Sequence, residues 1–213
     1  MSGQQARARG FLGRTLIADY LVQRHQETLE KLSMKKDNEI WVHELCECAL
    51  KREWRKRLPW LEASSPQTVI GDFLHRGFLS WLASSGYYEV EVDLAREYNG
   101  YLIKGRADAV SRDEVLELKY MAGFRERNPL EHHVLQLRIY LWMAGKYLGR
   151  LIYLTPDGFA EYPVNEPISE MELAGLLEDI SAPKWEEWEC GYCPYKSWCG
   201  EAVFHRETAL KRR

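Results

Sequence analysis

The stretch YLIKGRADAVSRDEVLELKY, residues 101–120, sets a strand, a turn and a second strand one after another. Residues 101–110 and 115–120 are rich in the β-branched, aromatic and leucine side chains that suit a pleated surface, with a turn near Arg112-Asp113. Just upstream, residues 88–94 alternate strictly, Val90, Val92 and Leu94 against Glu89, Glu91 and Asp93, as a half-buried strand does. Asn99-Gly100 joins this run to Tyr101, because both residue types accept the positive φ of a tight hairpin turn. Three consecutive antiparallel strands are predicted.

Helical patterns lie on both sides of them. Phe73, Leu74, Phe78, Trp81 and Leu82 give residues 68–84 an apolar side, and residues 130–148, after Asn128-Pro129, form a second strong helix. Strands at 151–154 and 159–164 follow, joined by Pro156-Asp157-Gly158. Ser169-Glu170-Met171-Glu172 is a capping box opening a last helix that ends by Pro183. Toward the start, residues 1–10 read as flexible, and Leu12, Leu16, Ile17, Tyr20 and Leu21 recur at helical spacing from Phe11 onward. Residues 40–58 are helix-compatible until Pro59 stops them. The predicted class is α/β, a mixed β-sheet flanked by helices.

A chain of 213 residues suits one composite domain: a helical region at 1–60, a core at 61–182 and a C-terminal segment at 183–213 that packs back on the first. With 46% hydrophobic and 29% charged residues and no apolar run long enough to span a bilayer, a membrane protein is excluded. The opening segment lacks the apolar core of a secretory signal, so a cytoplasmic protein is expected. Net charge is −3, so any nucleic-acid contact must come from local patches. Lys51, Arg52, Arg55, Lys56 and Arg57, with Trp54 among them and Trp60 beyond, form such a patch, or else a solvated helix face.

Glu117 and Lys119 are two apart on a strand and leave the same face, with Leu116 and Leu118 on the other. Asp108, near the end of the preceding strand, is expected across from them, which gathers two carboxylates and a lysine into a hard-cation site with a base attached. His75 can add an imidazole, and Gln136 and Tyr140 share one face of the later helix.

The five cysteines fall as Cys46 and Cys48, then Cys190, Cys193 and Cys199 in CGYCPYKSWC. Thiols clustered this way inside a cell hold metal more often than they form disulfides. Three need a fourth, from Cys46 or Cys48; two residues apart on a helix do not share a face, so one of the pair should ligate and the other pack or stay free, and Cys48 is taken as the ligand. Structural zinc and an iron–sulphur cluster both accept four thiolates.

Helix with Gly71-x-x-x-His75, strand with Gly105-x-x-Asp108, strand with Glu117-x-Lys119 and helix with Gln136-x-x-x-Tyr140 resembles, in that order, the RecB-like branch of the PD-(D/E)XK nucleases, whose core is restriction-endonuclease-like. With the cysteine pattern added, the chain is similar to the CRISPR-associated RecB-like exonucleases, and also to the AddB nuclease domain. The resemblance spans about residues 41–200. It implies Mg²⁺ or Mn²⁺ held by His75, Asp108, Glu117 and the main-chain carbonyl of Leu118. Lys119 would orient or deprotonate the attacking water, helped by Gln136 and Tyr140. It implies a [4Fe–4S] cluster, with [2Fe–2S] as runner-up, on Cys48, Cys190, Cys193 and Cys199, the clamp forming one wall of a DNA passage, and Trp185 and Trp188 are expected to shield it. It also implies 5′ to 3′ digestion of single-stranded DNA and work beside the CRISPR integrase proteins in spacer capture. The rivals are a repair nuclease working beside a helicase, which would be a separate protein because the chain has no Walker-type segment, and a non-catalytic DNA-binding module.

Overall fold

The structure, a computed structural model, describes residues 16–62, 66–122, 128–185 and 187–202. The flexible lead expected at 1–10 and the proposed helix start at Phe11 lie outside the described residues. In chain order the elements are α1 (Leu16–Ser33), β1 (Glu39–Trp41), α2 (Val42–Leu45), α3 (Ala49–Arg57), a 3₁₀ turn (Pro59–Leu61), α4 (Pro66–Ser84), β2 (Glu89–Tyr98), β3 (Tyr101–Val110), β4 (Glu114–Tyr120), α5 (Glu131–Ala144), β5 (Leu148–Thr155), β6 (Gly158–Val164), α6 (Glu170–Glu178) and α7 (Glu187–Tyr192). Among the described residues, no helix is long and apolar enough to cross a membrane.

Six strands form one mixed sheet. The β2–β3 hairpin turns at Asn99 and Gly100, with φ of 48° and 79°, the positive values that the Asn-Gly pair was read to supply. Along its whole length β3 pairs with β2, so its other edge is shared by β1, parallel over Leu102–Lys104, and β4, antiparallel only at Ala109 and Val110. Gly105 to Asp108 therefore have no strand on that edge. There β3 and β4 diverge, and β4 runs on in parallel pairing with β5.

One face of the sheet packs under α5: Ile103, Ala107, Val115, Leu151 and Tyr153 meet Leu137, Tyr140 and Leu141. The other packs under α4, where Leu79 and Leu82 cover Ala109, Leu116, Leu118 and Ile152. Leu116 and Leu118 thus lie on the α4 side and Val115 on the α5 side, as period-two alternation requires. On β3 the alternation switches between Ala107 and Ala109, at Asp108. The facing β2 residue, Glu91, is left out of the ladder and holds a φ of 51°, a left-handed conformation costly for a residue with a Cβ.

The segment 40–58 is not one helix. Glu39–Trp41 is a strand, and the chain breaks again at residues 46–48 before α3 begins. Cys46 N–H closes a tight turn on His43 O, while Cys48 takes an extended ψ of 129° and its N–H is bonded by the Glu189 carboxylate. An amide committed to a side chain 141 positions away cannot continue a helical ladder. The helix expected over 130–148 is shorter than predicted: α5 stops at a left-handed Gly145 cap, and Leu148 already belongs to β5. The short helix α7 had no readable periodicity.

Candidate active site

The point where β3 and β4 part is lined by charged side chains from three elements. Asp108, 9% exposed, places Oδ1 2.8 Å from His75 Nε2 of α4, and its Oδ2 accepts the Leu118 N–H at 2.7 Å. That second bond stands in for the ladder bond that β3 would have given β4 had the strands stayed paired. Glu117, 1% exposed, holds Lys119 Nζ at 2.6 Å through Oε1. Its Oε2 is buried with no partner. A cavity of about 390 Å³ lined by Thr68, Gly71, His75, Asp108, Leu118 and Lys119 opens onto this cluster.

Tyr140 and Gln136 complete the wall from the α5 side. Gln136 Nε2 donates to Tyr140 Oη at 3.4 Å, and Tyr140 is 4% exposed. The ring reaches the sheet because residue 105 is glycine: a Cβ there would lie 2.6 Å from Tyr140 Cε1 and 2.8 Å from Val42 Cγ2.

The electrostatics follow from burial of like and unlike charges together. Burial and then the Asp108 charge push the Glu117 carboxyl upward, with Lys119 and His75 opposing them. The hydrogen bond to Asp108 raises the His75 imidazole. Burial pulls Lys119 down, but Glu117 and Asp108 outweigh it and the net shift is upward. Facing these two carboxylates, Lys119 is an ammonium, suited to orienting and neutralising. Burial and the Glu117 charge raise the Tyr140 phenol, so it stays a neutral donor.

All six sequence-chosen side chains therefore belong to one locality, and Leu118 supplies backbone to it. As they stand, no three His, Cys, Asp or Glu among the described residues form a ready-made coordination group, because His75 and Lys119 each occupy a carboxylate oxygen. The donor set nonetheless fits a divalent cation. An unpartnered buried carboxylate oxygen is a costly atom to leave unsatisfied, and a hard cation beside it satisfies it while displacing the two internal cations.

The cysteines divide as the sequence suggested. Cys46 is buried in the main core, its thiol pushed up to about 12 chiefly by burial. Cys48, Cys190, Cys193 and Cys199, all free thiols, line one small cavity with Leu50, Lys51 and Trp54. Trp185 and Trp188 do not cover it. Their rings lie 6.0 and 5.2 Å from His132 on α5, so they bridge the C-terminal segment to the core, and Trp54 walls the thiols instead.

The basic patch is divided: Arg55 is internal, Lys51 and Arg52 are half-buried, and Lys56 and Arg57 are exposed. Arg55, 5% exposed, is held by Glu44, Glu47 and Glu62 at 3.4, 2.5 and 3.0 Å, and Lys51 by Glu47 at 2.8 Å. A cation so buried needs those carboxylates and cannot also meet phosphate. Lys56 pairs with Glu53, and Arg57 lies over Trp54. A second charged lining is dispersed along the sequence. A cavity of about 890 Å³ runs from Arg24, Lys31 and Lys35 past Arg76, Lys104 and Arg106 to His75 and Tyr140, its wall shared with Glu91 and with Glu39, Asp72 and Asp93, which pair respectively with Lys104, with Arg24 and Arg76, and with Arg106.

A mixed sheet between helices, with paired acids and a lysine where two strands splay, defines a class of phosphodiester-cleaving enzyme. The family model for the PD-(D/E)XK nuclease superfamily matches residues 16–200, and the chain belongs to that superfamily, whose members use divalent metals. Within it the chain sits with the CRISPR-associated RecB-like exonucleases, as a hydrolytic exonuclease. It is 36% identical over 201 residues to the CRISPR-associated exonuclease Cas4 of Saccharolobus solfataricus, covering 86% of this chain and 98% of that protein. The crystal structure of SSO0001 is similar with a TM-score of 0.80 at 36% identity, over 89% of this chain and 99% of that one. LHK-Exo, an alkaline exonuclease from Laribacter hongkongensis, shares the fold alone, with a TM-score of 0.50 at 8% identity over 71% of this chain and 88% of that one.

Proposed function

We propose that the chain is a Mg²⁺- or Mn²⁺-dependent exonuclease that digests single-stranded DNA from the 5′ end in the cytoplasm, trimming DNA for spacer capture beside CRISPR integrase proteins. The observation carrying the nuclease chemistry is the unpartnered Glu117 Oε2 beside Asp108, His75 and Lys119 at the strand divergence. The CRISPR setting and exonuclease mode are supported by the likeness to the CRISPR-associated exonuclease Cas4 of Saccharolobus solfataricus.

His75, Asp108, Glu117 and the Leu118 carbonyl would hold the cation. When bound, it supplies Lewis-acid polarisation of the phosphate and makes water more acidic. Lys119, as an ammonium, donates to the attacking water or a phosphoryl oxygen and offsets the charge that grows there. Tyr140, neutral and anchored by Gln136, stands near the Glu117 and Asp108 carboxylates. The cavity that reaches His75 and Tyr140 would give a strand its way to these groups, with Lys31, the exposed Arg76 and the half-buried Lys104, the last two partly paired, offering phosphate contacts without sequence preference. Cys48, Cys190, Cys193 and Cys199 fit a [4Fe–4S] cluster, with [2Fe–2S] and zinc as the alternatives that four thiols also accept. Its role is to tie the two ends of the chain.

Asp108→Ala tests the catalytic assignment on single strands labelled at either end, in Mn²⁺. Cutting should fall roughly a hundredfold or more. Equal rates for variant and parent would sink the assignment. With the parent, release of the 3′ label first overturns the polarity and leaves the chemistry standing.

A further inference from the structure

Glu189 immediately precedes the cysteine triplet, and both its carboxylate oxygens are committed to main-chain donors. Oε1 accepts the Cys48 N–H at 2.5 Å, and Oε2 accepts the Lys184 N–H at 2.9 Å and the Trp185 N–H at 3.4 Å. Cys48 is the residue before α3, so its N–H has no helical acceptor of its own. One side chain therefore joins the segment carrying Cys48 to the segment that leads into Cys190, Cys193 and Cys199. Neighbouring bonds run between the same segments: Trp185 Nε1–H donates to Cys46 O at 2.7 Å and Lys184 Nζ to Leu45 O at 2.9 Å. None of them passes through sulphur.

We propose that Glu189 is a positioning residue for the thiol cradle, pinning the Cys48 main chain against the Cys190–Cys199 segment before any metal arrives. The inference rests on the reading of these four thiols as a metal site. Its physical basis is independent of which metal binds. An anion at the rim of a thiolate site opposes ionisation of the thiols, so Glu189 contributes there through its hydrogen bonds and not its charge. With both oxygens taken by amides, it holds the ligands and does not coordinate. The benefit is entropic: four thiols already facing one cavity close on iron without first bringing together chain segments 141 positions apart.

The test uses the full chain, first stripped of metal. Amide hydrogen exchange at Cys48 is compared in the parent, Glu189→Ala, Glu189→Gln and the charge control Glu201→Gln, an exposed carboxylate beyond the triplet. Each protein is then reconstituted anaerobically with ferrous iron and sulphide, and iron and acid-labile sulphide per chain are counted. Glu189→Ala should speed Cys48 exchange roughly tenfold or more and lower iron uptake. Glu189→Gln should fall between, since an amide offers one acceptor and turns a donor against the other amide. Glu201→Gln should match the parent. Unchanged Cys48 exchange in both Glu189 variants overturns the proposal, and so does an equal loss in Glu201→Gln. If Glu189→Ala does not fold, Glu189→Gln decides. A parent that takes zinc but no iron overturns the cluster reading alone, and the metal-free exchange measurement still judges Glu189.

Discussion

Tyr140 and Gly105 are one device seen from two sides. A Cβ at 105 would sit 2.6 Å from the ring and 2.8 Å from Val42, closer than non-bonded carbons approach, and both neighbours are buried and have nowhere to retreat. Gly105→Ala should destabilise the protein by ~1–3 kcal/mol, as overpacking does. It should also slow cutting, because the phenol is pushed away from the Glu117 and Asp108 carboxylates. Urea unfolding and single-strand digestion check the two effects; a variant parental in both would show that the ring has room to move. The glycine was visible in the sequence as the start of Gly-x-x-Asp, but its reason was not, since the clash is with residues of α2 and α5. The same limit applies to Lys119. Its place beside Glu117 follows from strand alternation, whereas the direction of its proton affinity is a balance of burial against Glu117 and then Asp108, which no local pattern weighs.

At the next scale up, α6 carries a cap whose strength depends on pH. Ser169 Oγ accepts the Glu172 N–H at 3.2 Å, Glu172 in turn accepts the Ser169 N–H at 2.9 Å, and Arg138 from α5 grips the same carboxylate with two bonds of 2.9 Å. Arg138, and then the cap itself, hold Glu172 down to about 2. A carboxyl depressed on folding stabilises above its unfolded value, near ~4.3, and that contribution is lost as pH falls from there through the folded value. Glu172→Gln should therefore flatten the stability profile between about pH 4.5 and 2 while changing little in its shape above pH 6. Thermal melts across that window measure it; an unaltered acid limb would refute the linkage. This cap was legible because it is local, four residues with a known geometry. So were the β2–β4 strands, whose alternation and Asn-Gly turn need no distant partner. Residues 40–58 were not. A three-residue strand shows no alternation, and the break at Cys48 is made by Glu189 from the far end of the chain. Nor was the burial of Arg55 within the basic patch, since the three carboxylates that converge on it come from separate turns.

The molecule as a whole has a core that is complete without its cysteine segment. Both hydrophobic clusters draw on residues between Ile40 and Leu177 among those described, and neither uses the stretch that carries Cys190, Cys193 and Cys199. That stretch is fastened by polar contacts and a few aromatic ones: Glu189 to Cys48, Trp185 to Cys46, the Trp185 and Trp188 rings against His132, and the buried Tyr195, whose hydroxyl donates to Glu62 at 3.0 Å. Each such bond contributes ~1 kcal/mol net, enough to dock the segment but not to make it inseparable from the sheet. Metal bound by the thiols would add a cross-link that closes a very long loop, and its stabilisation belongs to the terminal regions. Cys193→Ser, or chelation followed by return of Mn²⁺, should accordingly leave far-ultraviolet circular dichroism near parental. The melting midpoint should drop by several degrees, and protease should gain access to residues 184–200. Mn²⁺ binding at the carboxylates should persist. If removing the thiol-bound metal instead erased the dichroism in a single step, the sheet would depend on the clamp. The separation of a self-sufficient nuclease core from a metal-tied closure would then be wrong.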